Sequence, residues 1–98
     1  MTYLLEIDER AFKDIQNAVD YYNDRQAGLG KRFYRSYKKA LGTLKRNPYF
    51  QIKYDDIRCV LIKPFPYMIH FSVDEAEKMI IIFAVVHTSL NPDKSYII

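Results

Sequence analysis

The hydrophobic positions of the C-terminal half follow strand periods, and those of the N-terminal half follow a helical one. Residues 79–86 (MIIIFAVV) form an unbroken apolar run, β-branched and bounded by charge. That is the pattern of a central strand covered on one face and nearly buried on the other. Residues 67–73 alternate, with Tyr67, Ile69, Phe71 and Val73 opposite Met68, His70 and Ser72. Residues 58–63 alternate too, with Arg58, Val60 and Ile62 opposite Cys59, Leu61 and Lys63. Pro64-Phe65-Pro66 and Asp74–Lys78 are short connections, so the three strands are predicted to be antiparallel neighbours.

Upstream, residues 3–7 (YLLEI) read as one more strand. Over residues 9–25 the side chains of Ala11, Phe12, Ile15, Ala18, Val19 and Tyr22 recur at helical spacing, with Asp8 as N-cap and Glu9 in the first turn. Gln26–Gly30 breaks that helix with two glycines. A second helix is predicted over about 30–46, its apolar face made by Leu29, Phe33, Tyr37, Ala40, Leu41 and Leu44 and its end set by Asn47-Pro48. So short a turn predicts an antiparallel helical hairpin lying on one face of the sheet. Tyr49–Tyr54 fits either a strand or an extended approach to the sheet, and Asp55-Asp56 a turn. The tail ends in Tyr96-Ile97-Ile98, apolar enough to pack back or to meet a partner.

Ninety-eight residues suit a single domain, 1–98, and no apolar run approaches the roughly 20 residues that span a bilayer. Cys59 is the only cysteine and no secretory leader is visible, which points to the cytoplasm and to no membrane partner. The net charge of +3 conceals an asymmetry: residues 25–54 hold nine bases and no acid. Within that block Lys31, Arg35, Lys38, Lys39, Lys45 and Arg46 fall on or beside the polar face of the second helix. They are candidates for contact with phosphates, for docking an acidic peptide, or for a plain solvated face.

Motifs for cofactors, metals or covalent catalysis are missing. Gly28 and Gly30 lack the spacing of a phosphate loop, and one cysteine with two histidines makes a poor metal site, so neither cofactor nor metal is expected. Arg58, opening the first core strand, and His87, closing the last, are the remaining chemical candidates, able to hold a phosphate and to exchange a proton if the fold brings them together. His70 is expected at the surface or under a loop, Tyr67 in the core, and Cys59 as a small packed side chain.

Taken together, the strand, helical hairpin and three-stranded meander, with Arg58, the run Phe65–Phe71 and the closing Ala84–Pro92 (AVVHTSLNP), resemble the RelE/ParE superfamily of type II toxin–antitoxin toxins, also called plasmid stabilisation proteins. The resemblance covers almost the whole chain. It implies an α+β fold: an N-terminal strand and an antiparallel helical hairpin packed on a small, mainly antiparallel sheet that ends in the meander. It also implies a cytoplasmic toxin held inactive by a cognate antitoxin, in a possible hetero-oligomer. One branch of the superfamily is a ribosome-dependent, metal-free endoribonuclease acting on mRNA; here Arg58, Lys63, His87 and Tyr96 would have to supply its chemistry. The ParE-like branch inhibits DNA gyrase. The chain departs from the ribonuclease pattern by carrying Cys59, Leu61 and Met68 where that branch places basic residues, and it has Leu90 where an arginine is common. The resemblance therefore leans to a ParE-like toxin, with the ribonuclease and a non-toxic degenerate relative as alternatives.

Overall fold

The structure is a computed structural model and describes residues 2–89. Strand β1 (Leu4–Ile7) leads into helices α1 (Glu9–Arg25) and α2 (Leu29–Arg46), followed by strands β2 (Ile52–Tyr54), β3 (Ile57–Leu61), β4 (Tyr67–Asp74) and β5 (Met79–His87). The five strands make one sheet in the order β1-β5-β4-β3-β2. β1 runs parallel to β5, and the other neighbours are antiparallel. The expected α+β architecture is the observed one.

Local chemistry accounts for the element ends. Asp8 caps α1 by accepting from the Arg10 N–H at 2.8 Å, with acidic Glu9 in the first turn where the helix dipole favours it. Gly28 takes a left-handed conformation, φ +87°, between the helices. It offers no side chain to cap α2, and Asn23 on α1 does so instead, its Oδ1 accepting from the Gly30 N–H at 2.8 Å. Asp55 takes positive φ in the turn between β2 and β3, and Lys78 in the turn between β4 and β5.

Register decides the layers. Val60, Ile69 and Val85 lie in one row and Phe71 faces Ile82, and these side chains join Ala11, Ile15, Ala18, Phe33, Tyr37 and Leu44 of the helices in the core. The helix pair thus covers one face of the sheet, as predicted. The other face carries the row Cys59–His70–Ala84, all three buried. Two expectations need correcting there. His70 is 1% exposed, not a surface residue, and the Tyr54 side chain lies over it with its hydroxyl 3.0 Å from Nδ1. Phe12, read as part of the apolar face of α1, is 59% exposed, since one residue after buried Ala11 lies about 100° round the helix. Residues 49–54 resolve into a three-residue strand paired with the start of β3 through an irregular register. Lys63 lies beyond the end of β3, in the turn before β4.

Candidate functional site

Three surfaces carry the candidate chemistry. The first is a depression of about 340 Å³ where α1 crosses the C-terminal end of β5, lined by Asp14, Asn17, Tyr21, Tyr67 and His87 among others. It exists because β1 is short. The pairing of β1 stops at Ile7 opposite Ile82, and the chain turns into α1 at Asp8, leaving the last residues of β5 without that neighbour. Asp14 fills part of the gap: its carboxylate accepts from the Val85 N–H at 2.9 Å, as a strand carbonyl would. Burial raises the Asp14 carboxyl above the usual carboxylate range, against the opposing pull of that N–H and of Arg10. The His87 ring meets Tyr67 edge-on with centroids 5.3 Å apart. Its Nδ1 accepts from the Ser89 N–H at 3.0 Å and sits 2.8 Å from the Ser89 hydroxyl, so the neutral ring carries its proton on Nε2.

The second surface is the Arg58 clamp. Its guanidinium donates to the Phe50 carbonyl at 2.6 Å and stands 5.3 Å from the centroid of the Tyr49 ring. The Tyr49 hydroxyl in turn lies 2.7 Å from that of Tyr3, beside Glu75 and the Lys78–Glu75 pair. Arg58 thereby fastens the segment between α2 and β2 to the sheet. Arg58→Ala is expected to cost about 2 kcal/mol, the range for a hydrogen bond from a charged donor. Urea unfolding measures it, and a loss below about 0.5 kcal/mol would mean the guanidinium does not hold this segment.

The third is the outer face of α2. Lys31, Arg35, Lys38 and Lys45 recur at spacings of four, three and seven, on one side of the helix, while Phe33, Tyr37, Ala40, Leu41 and Leu44 are buried on the other. Lys39 and Arg46 flank that row. Lys45 is half-buried, and the other five cations are exposed.

The three ribonuclease candidates among the described residues, Arg58, Lys63 and His87, are therefore dispersed. Arg58 faces Phe71 across the sheet, whereas His87 faces Tyr67, four residues along β4 and about 13 Å away at the strand rise. They do not meet. Lys63 lines two other depressions, one against Ser36, Lys39, Ala40 and Thr43 of α2 and one against Phe50 and Met68. Tyr96 and Leu90 lie outside the described residues. The depression around His87 is lined by a carboxylate and, among the described residues, by no lysine or arginine. Asp14 is the residue the sequence reading missed; its only signal is a position on the flank of the apolar stripe, directly before buried Ile15. Among the described residues no three histidine, cysteine or carboxylate side chains gather as metal ligands would, and no helix is long and apolar enough to cross a membrane.

Comparison with known proteins places this geometry. The family described as the ParE toxin of the type II toxin–antitoxin system parDE matches residues 5–92. Among solved structures, a chromosomal ParDE toxin–antitoxin system from P. aeruginosa is similar with a TM-score of 0.78 at 14% identity, over 88% of this chain and 96% of that one. The isolated E. coli RelE toxin is similar with a TM-score of 0.67 at 18% identity, over 95% and 92% of the two chains. The archaeal RelE–RelB complex from Pyrococcus horikoshii OT3 follows with a TM-score of 0.63 at 19% identity, over 93% and 100%. At these identities the structures speak for the shared fold. A search of curated proteins finds no match.

Proposed function

This chain belongs to the ParE toxin family of type II toxin–antitoxin systems, and from that premise we propose that it works by binding: it inhibits DNA gyrase and is neutralised by a cognate antitoxin. The observation that carries the choice of binding over cleavage is the lining of the His87 depression. Metal-free cleavage of RNA crowds negative charge onto one phosphate, and the enzyme must place cations around it. Here the histidine has Asp14 for company, a carboxylate already engaged with the Val85 N–H. Arg58 is committed to Phe50 and Tyr49, and Lys63 lines other depressions. Among the described residues, a phosphate placed at His87 would find a carboxylate and no lysine or arginine.

The antitoxin part of the proposal has support from the solved relatives, several of which are toxin–antitoxin complexes. The residues assigned to target contact are the α2 cations Lys31, Arg35, Lys38, Lys39, Lys45 and Arg46. The test is supercoiling by purified gyrase with the purified chain added. The expected result is loss of supercoiling, unchanged by His87→Ala and restored by the antitoxin. Undisturbed supercoiling at a large excess of the chain would reject gyrase as the target.

A further inference from the structure

We propose that the outer face of α2 is a binding surface for the phosphate backbone of a nucleic-acid duplex, used by the chain on its own and not only through a protein target. This deepens the assignment of the α2 cations to target contact, and it does not depend on gyrase being that target.

The first observation is charge without compensation. The helix Leu29–Arg46 carries Lys31, Arg32, Arg35, Lys38, Lys39, Lys45 and Arg46 and no acid. Among the described residues the sole ion pair is Lys78–Glu75, far along the chain, so none of these cations is paired there. The acids of neighbouring α1, including Asp20 and Asp24, are not used to neutralise them.

The second observation is that the cations of the first turn run against local stability, although Lys45 and Arg46 in the last turn suit the helix dipole. The first turn of α2 has no acidic residue, its side-chain cap is the neutral amide of Asn23, and Lys31 and Arg32 follow at once. Cations there oppose the helix dipole. A face selected only for solubility has no reason to place them at that end, or to leave acids out of eighteen residues.

Geometry then selects the ligand. Lys31, Arg35, Lys38 and Lys45 form a straight row along the helix, with Gly42 between Lys38 and Lys45 leaving the backbone bare. From Lys31 to Arg46 the row spans about 22 Å at the helical rise. Along that length one strand of a duplex presents about six phosphates. A phosphate backbone needs no apolar anchor, whereas a protein target reached by these cations would have to find its apolar anchor outside the row. The centre of this row has none, and the one exposed aromatic beside it, Tyr34, stands at the margin with Lys38 Nζ 5.9 Å from its ring centroid. Duplex DNA and duplex RNA share the recognised chemistry.

The experiment is fluorescence anisotropy of the full chain with a labelled 20-base-pair DNA duplex, the same duplex in RNA, and polyglutamate as a polyanion without phosphate. With about four phosphates neutralised, affinity should fall roughly a hundredfold between 50 and 200 mM salt. The variant Lys31→Glu/Arg35→Glu/Lys38→Glu should lose at least about a hundredfold in affinity at low salt and flatten the salt dependence by a slope of about three. The control Arg10→Glu/Lys13→Glu/Lys53→Glu makes the same change in net charge at exposed sites off this face and should keep its binding. All six positions are exposed, and matching circular dichroism confirms that both variants fold. The stronger of the two duplexes identifies the natural source of phosphate. Equal loss in the two triple variants, no loss in either, or polyglutamate binding as tightly as the duplexes would overturn the proposal.

Discussion

Replacing Gly30 by alanine is expected to destabilise the fold by about 3 kcal/mol, near the top of what overpacking costs. Gly30 is where α2 touches α1. A β-carbon built there would run into the Val19 carbonyl oxygen and lie 2.7 Å from Asn23 Cγ and Oδ1. The Val19 oxygen belongs to helix backbone and cannot swing aside. Asn23 cannot move either without giving up its hydrogen bond from the Gly30 N–H, a cap of the kind worth about 1 kcal/mol. The helices must separate, loosening the packing of Phe33, which is wholly buried beneath them. Gly42 is the internal control. A β-carbon there has nothing closer than Arg46 at 3.9 Å, and Gly42→Ala is expected to stabilise by up to about 1 kcal/mol through helix propensity alone. Urea unfolding of both variants decides the matter. A Gly30→Ala protein as stable as its parent would show that the helices do not pack at this distance.

The second large effect is loss of stability in mild acid, centred on His70. The ring lies in the buried row of the sheet face away from the helices, its Nδ1 3.0 Å from the Tyr54 hydroxyl. Burial pushes the imidazole down from 6.5 to about 4. The folded-state value lies below the unfolded one, so this contribution is complete above pH 6.5 and is lost as pH falls, because the unfolded chain takes up a proton that the folded chain refuses. Between pH 6.5 and 4 the accumulated loss reaches about 3 kcal/mol. Asp14 works in the opposite sense: its raised carboxyl is protonated first in the folded chain, which adds stability as the pH drops through its folded-state value. The His70→Gln variant separates the two. Its stability at neutral pH is lower, and the wild-type advantage should shrink steadily from pH 6.5 to pH 4. An advantage that stays constant over that range would mean the ring already titrates in the folded protein.

Much of this fold is legible along the chain because single-element signals are strong. Helix α1 begins after Asp8 and ends before the Gly28 break, as predicted, and the three long strands fall where periodicity puts them. What was not legible depends on pairs of elements. Phe12 shares the spacing of the α1 apolar face, but only the position of α2 decides whether it is covered. His70 alternates away from the Ile69–Phe71 face, and nothing in that alternation reveals that the opposite face is also closed over it. The Asn23 cap on α2 and the Asp14 bond to β5 join residues 7 and 71 positions apart, and a periodic pattern holds no trace of either. The site was harder still. Arg58 and His87 each end a core strand, which suggested proximity, yet the register sets them four residues out of step along β4, which lies between their strands. The α2 cations, by contrast, needed only helical spacing to be grouped, and the helix formed over the predicted length.

On the reading proposed above, this ParE-family chain poisons gyrase by binding it and does not cut messenger RNA. The direct measurement is to induce the chain without its antitoxin in a bacterial host and to pulse-label DNA and protein synthesis separately through the first minutes. An early stop in DNA synthesis, with protein synthesis continuing, is the predicted result. An early stop in protein synthesis, abolished by His87→Ala, would contradict it.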